Sequence, residues 1–221
     1  MSDAVAKQAE LIPRLRGVIH THALWVAFIA GLALVAGADG ARARLGAAVY
    51  ATGLCMLFLG SALYHRWPGD PRWLPLLRRI DHSTIFVFIA ASYTPLGLLT
   101  LSGTFADAVL ITAWAGALAG VGFSVAWISA PRVLVAITYI ALGWVAVATF
   151  PQVLDRAGWV PTALILLGGL LYSAGAAVYA ARRPDPLPAV FGFHEVFHTL
   201  VTAAVLVHFI AIAGWIVPVR W

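Results

Sequence analysis

His194 and His198 stand four residues apart in the segment His194-Glu195-Val196-Phe197-His198. On a helix that spacing places them about 40° apart around the axis and one turn along it. One helix face then presents two imidazoles to a single ion. A third histidine, His65, ends the segment Ser61-Ala62-Leu63-Tyr64-His65. Three histidine ligands plus water is the arrangement of a catalytic zinc, which keeps its fourth position open. The lone cysteine, Cys55, lies in an apolar run, so the chain has no disulfide framework and no thiolate cluster. With no thiolate in the set, zinc is expected ahead of iron or manganese. Any one of these histidines could simply satisfy a helix end or a backbone carbonyl. The three together favour the metal.

Two further residues could serve such a centre. Asp81 either caps a helix start, where its carboxylate accepts free N–H groups, or acts as general base for a metal-activated water. Ser61 lies one turn before His65 on the same face and can hydrogen-bond towards the site, or back to its own helix. His194-Glu195-Val196-Phe197-His198 also fits the H-E-x-x-H pattern of zinc proteases, in which the glutamate is the base. The chain has no Asn-Pro-Asp-Gly-like segment to supply that class's third ligand. Glu195 points about 100° away from either histidine and is expected to face the lipid headgroups. His20 and His22 are expected as solvated interfacial residues, His208 in a buried hydrogen bond to a neighbouring helix. None of these, nor His82, is assigned as a ligand.

The elements that must position these residues follow from composition. Of 221 residues, 62% are apolar and 10% charged, and the mean hydropathy is +0.92. A soluble domain is about 45–50% apolar and about 25% charged, so a soluble enzyme, a disordered chain and a nucleic-acid binder are all excluded. The net charge of +5 comes from 14 basic residues that form no groove and read instead as topology signals. Seven windows lack Asp, Glu, Lys and Arg: 17–38, 45–65, 82–106, 108–131, 133–154, 157–181 and 196–219. Each has 21–25 residues, and about 20 span a hydrocarbon core of about 30 Å. The chain is therefore expected to be all-α, an integral membrane bundle of seven transmembrane helices. Residues 1–16 form a short cytoplasmic lead and 17–221 the transmembrane domain.

With the amino terminus in the cytoplasm and the carboxyl terminus outside, ten basic residues fall on inner segments (Lys7, Arg14, Arg16, Arg66, Arg72, Arg78, Arg79, Arg132, Arg182, Arg183). Four fall outside (Arg42, Arg44, Arg156, Arg220). Basic residues resist translocation, so this orientation is expected. Trp67, Trp73 and Trp127 then mark the inner interface, and Trp159, Trp215 and Trp221 the outer one. Pro95 is expected to kink the third span. The longest loop is expected at 66–81, with Asp81 and His82 opening span three. The same orientation brings the end of span two and the starts of spans three and seven to one face. Three distant segments thus deliver imidazoles and a carboxylate to one depth.

The sequence resembles the hemolysin III family, the bacterial branch of the progestin and adipoQ receptor superfamily. The matching segments run in order along nearly the whole chain: Leu15-Arg16-Gly17-Val18-Ile19-His20, Ser61-Ala62-Leu63-Tyr64-His65, Leu77-Arg78-Arg79-Ile80-Asp81-His82-Ser83, Ala91-Ser92-Tyr93-Thr94-Pro95, Leu142-Gly143-Trp144, and Phe191-Gly192-Phe193-His194-Glu195-Val196-Phe197-His198. The resemblance implies a seven-helix bundle with a cytoplasmic amino terminus and a zinc ion near that face. It places the zinc ligands on His65, His194 and His198, and the family's Asp and Ser on Asp81 and Ser61. The related adiponectin receptors and alkaline ceramidases use such a constellation to hydrolyse a lipid amide. This chain differs from the receptors in lacking a long amino-terminal domain, and in carrying Asp81-His82 and Glu195 at motif positions, which puts receptor signalling in doubt.

Three functions are then in view. One is a zinc-dependent hydrolase of a lipid amide or ester, drawing an acyl amide or phospholipid from the inner leaflet between its helices. Another is a non-catalytic lipid sensor with structural zinc that adjusts membrane fluidity. The third, a pore, lacks the polar stripe along a span that it requires. Membrane lipids are the expected partners, with no nucleic acid and no evident protein partner. The short loops suit a multi-pass protein of a bacterial inner membrane.

Overall fold

The computed structural model describes residues 13–218. Residues 1–12 of the lead, with Lys7, and the distal Arg220 and Trp221 lie outside the described residues. Among the described residues, seven helices are long and apolar enough to cross a membrane: Val18–Gly37, Ala41–Arg66, Pro71–Leu99, Gly103–Ala126, Arg132–Ala157, Trp159–Ala181 and Phe193–Ile216. These are spans one to seven. Among the described residues there is no strand, only an isolated bridge between Leu187 and Phe191.

Helical backbone satisfies its own polar groups, which lipid cannot do, so the loops between spans stay short and lie at the two ends. Neighbours in sequence pack side by side. Two buried clusters hold the bundle together. One joins spans one, two, three and seven around Leu34, Tyr50, Phe58, Phe88 and Val205. The other joins spans three to seven around Phe86, Ala113, Val153, Ile165 and Ala211. Outward faces carry large apolar residues such as Trp25, Ile29, Ile111 and Leu118, the surface that a protein sitting in lipid presents.

Two expectations about span three are corrected. Its helix opens with a 3-10 turn at Pro71–Trp73 and continues as Leu74–Leu99, so the connection from span two is only 67–70 rather than 66–81. Charge does not stop this helix, because its arginines find partners: Arg79 Nε donates to the Val125 carbonyl of span four at 3.1 Å and its Nη1 to the Pro75 carbonyl at 3.2 Å. Asp81 and His82 therefore lie two turns inside the helix, and Asp81 caps no helix start. Pro95 lies inside this helix.

Span five is the irregular one. It is α-helical over Arg132–Gly143, narrows to a 3-10 stretch at Trp144–Thr149 and resumes at Phe150–Ala157. Pro151 has no N–H to give the carbonyl four residues back, which disfavours regular α-helix just before it. The Tyr93 hydroxyl of span three is 3.0 Å from the carbonyl oxygen of Leu142 and 2.7 Å from that of Gly143, at the point where the helix changes.

Candidate metal centre

His65 is supplied by the last turn of span two, and His194 and His198 by the first turns of span seven. Their ligand nitrogens all lie within 4.8 Å of one another. The Nε2 atoms of His65 and His194 are 3.1 Å apart. A tetrahedral zinc, with Zn–N distances of about 2.0–2.1 Å, needs its nitrogen ligands somewhat over 3 Å apart. Donor chemistry and spacing therefore fit such an ion, and this group could hold one.

The surroundings of this trio fix its geometry. His20 of span one stacks on His198, with ring centroids 3.8 Å apart and planes at 12°. Its Nδ1 shares a 2.8 Å hydrogen bond with Ser61 Oγ, the donor depending on the imidazole tautomer. His20 and Ser61 are both buried. Ser61 thus bonds across to span one rather than back to its own helix. His20 is not the solvated interfacial residue expected of it, whereas His22 is exposed. Residues two apart on a helix differ by about 200° in direction. That spacing dictates that only one of the two can face the bundle, and it was the available signal.

Asp81 Oδ2 is 3.9 Å from His65 Nε2, so span three brings a carboxylate to the cluster. His82 lines the adjoining cavity. His208 lies farther along span seven, its Nε2 3.0 Å from the Ile165 carbonyl, the cross-helix bond expected of it.

Glu195 is a further correction. Instead of facing headgroups it is completely buried. Its Oε1 accepts a 2.6 Å hydrogen bond from Arg16 Nε, and Oε2 accepts one of 2.9 Å from the Gly192 N–H. Asp185 Oδ1 accepts from the Phe193 N–H at 2.8 Å. The start of span seven is therefore tied down on several sides before its histidines begin. The lead closes over it: Arg14 and Leu15 donate their N–H groups to the carbonyls of Ala189 and Val190, each at 3.1 Å. Gly17, with φ +74°, then turns the chain into span one. A Cβ there would stand 2.6 Å from His65 Cβ, so glycine lets the lead pack directly on a candidate ligand.

A cavity of about 160 Å³ runs from this cluster into the bundle. His194, His198, Ser61 and Asp81 lie at one end of its lining, and beyond them the walls are largely apolar. Trp144, Val147 and Leu166 line it too while being 38–44% exposed on the outside of the bundle. The cavity therefore reaches the lipid-facing surface between spans five and six.

A seven-span helical membrane protein with a histidine-lined chamber is the class that fold and site define. The profile of the Haemolysin-III related family matches residues 10–209, and the chain belongs to that family. It is 30% identical over 174 residues to the Hemolysin-3 homolog of Bacillus subtilis (strain 168), covering 77% of each chain. Hemolysin-3 of Bacillus cereus is 28% identical, over 77% of this chain and 74% of its own. The human Monocyte to macrophage differentiation factor is 28% identical over 204 residues, covering 87% of this chain and 80% of its own.

Proposed function

We propose that this protein is a zinc-dependent hydrolase of lipid amides or esters. The observation that carries this reading is the meeting of three imidazoles, whose nitrogens lie within 4.8 Å of one another, with an apolar cavity open to lipid. His65, His194 and His198 hold the ion. Zinc bound there supplies a Lewis acid that polarises a carbonyl and makes water a nucleophile near neutral pH. Asp81, with Oδ2 beside the cluster, accepts the proton of the attacking water. Ser61, fixed by His20, orients its hydroxyl towards the developing oxyanion. The apolar walls take the acyl chain, which enters laterally between spans five and six. The amino terminus lies in the cytoplasm, so the cluster serves the inner leaflet of a bacterial cell membrane.

Purified protein mixed with acyl-amide lipids and phospholipids is expected to release fatty acid, and chelator-treated protein to release none. Equal release from both, or none from either, overturns the hydrolase. One feature favours a non-catalytic lipid sensor instead: the cluster joins spans two and seven, as a structural ion would. In that case losing the ion unfolds the bundle, and there is no turnover to lose.

A further inference from the structure

The charges around the cluster do not balance. Arg16, Arg78 and Arg132 all stand close enough to act electrostatically on its histidines or on Asp81 and His82. Arg16 is matched by Glu195. Arg78 stands three residues from Asp81 on the same helix and acts on it. Arg132, at the start of span five, has no carboxylate partner among the described residues. Its guanidinium is instead held by two aromatic rings, 5.8 Å from the centroid of Tyr179 on span six and 5.8 Å from that of Phe193 on span seven. Its Nη1 is buried with no hydrogen-bond partner. A guanidinium N–H left buried without an acceptor is costly, and cation–π contacts offset only part of that cost.

Arg132 is not itself in the cavity wall but stands directly beside it. Tyr179 lines the cavity, as do His194 beside Phe193 and Ala136 one turn beyond Arg132. A planar guanidinium next to such a chamber suits two oxygens of one anionic group. A bound divalent cation would add to the excess of positive charge. A headgroup phosphate fits these demands, and a neutral amide lipid leaves Arg132 unmatched.

From this imbalance we infer that the cavity binds an acyl lipid carrying a phosphate group, with the phosphate on Arg132 and the acyl chain in the apolar chamber. The inference rests on the lipid-binding part of the proposed function and does not depend on turnover. It narrows the ligand class to acyl lipids that carry a phosphate.

The test is a binding titration of the full-length protein in neutral detergent, read by tryptophan fluorescence because Trp144 lines the cavity. The probes are dioleoyl phosphatidate, dioleoylglycerol and inorganic phosphate, each added to zinc-loaded and chelator-treated protein. Phosphatidate is expected to bind at least about tenfold more tightly than dioleoylglycerol, and to keep a preference after chelation. Arg132→Gln should erase the preference while leaving dioleoylglycerol affinity within about twofold, which also shows that the variant is folded. Arg132→Lys should keep part of it. Arg72→Gln, an exposed arginine paired with Asp70, should keep all of it. Equal affinities for the two lipids, a preference that survives Arg132→Gln, or an equal loss in Arg72→Gln overturns the phosphate assignment alone. Inorganic phosphate binding as tightly as phosphatidate would make the ligand a free anion and overturn the lipid. Binding of neither lipid overturns the lipid-binding reading as well.

Discussion

Glu195 shows how single side chains set this centre. It stands between the two histidines of span seven in sequence, is wholly buried, and meets Arg16 at 2.6 Å and the Gly192 N–H at 2.9 Å. Removing one partner of a buried ion pair typically costs about 3–5 kcal/mol, because the other charge is left unmatched. Glu195→Gln is therefore expected to lower the thermal unfolding midpoint in detergent substantially, and Arg16→Ala to do the same. A midpoint unchanged in both variants would show that the pair holds nothing. Ser61→Ala should cost less, about 1 kcal/mol, because a neutral hydrogen bond to His20 is lost. The spacing of His194 and His198 was legible in the sequence, since periodicity alone puts them on one face. The partners of Glu195 and His20 were not. Arg16 lies 179 residues from Glu195 and Ser61 lies 41 from His20, and only packing shows which residues meet.

At the scale of elements, all seven spans were legible because apolar length is what a bilayer demands. Their ends were not. Charge-free windows mark the stretch that must sit in hydrocarbon, whereas the helix of span three begins at Pro71, well before its window opens at 82. Nor did the windows reveal the 3-10 stretch at Trp144–Thr149, which reflects Pro151 and the hydroxyl of Tyr93. Tyr93→Phe leaves those carbonyls without that donor and is expected to destabilise the protein by about 1–3 kcal/mol, as measured by unfolding of the purified variant. Spans two and three touch closely where Gly53 meets Ala91. A Cβ at Gly53 would come within 2.5 Å of Ala91 Cβ. Small residues permit such approach in membranes, so Gly53→Val should cost about 1–3 kcal/mol by overpacking. No loss would mean that the two helices slide apart freely.

For the whole molecule, each of the seven spans has one terminus at the end of the bundle that carries the cluster, and the proposed orientation puts that end in the cytoplasm. Ser129 is exposed in the loop after span four, at the same end. Ser129→Cys, made in a Cys55→Ala background, should react with a membrane-impermeant maleimide only after cells are opened. Labelling of intact cells would reverse the orientation and move the cluster to the outer leaflet. The central claim concerns the ion itself, and elemental analysis of the detergent-purified protein tests it most directly. The account predicts about one zinc per chain in the native protein and none in the His65/His194/His198→Ala variant. No stoichiometric metal in the native protein, or the same zinc content in the variant, would contradict it.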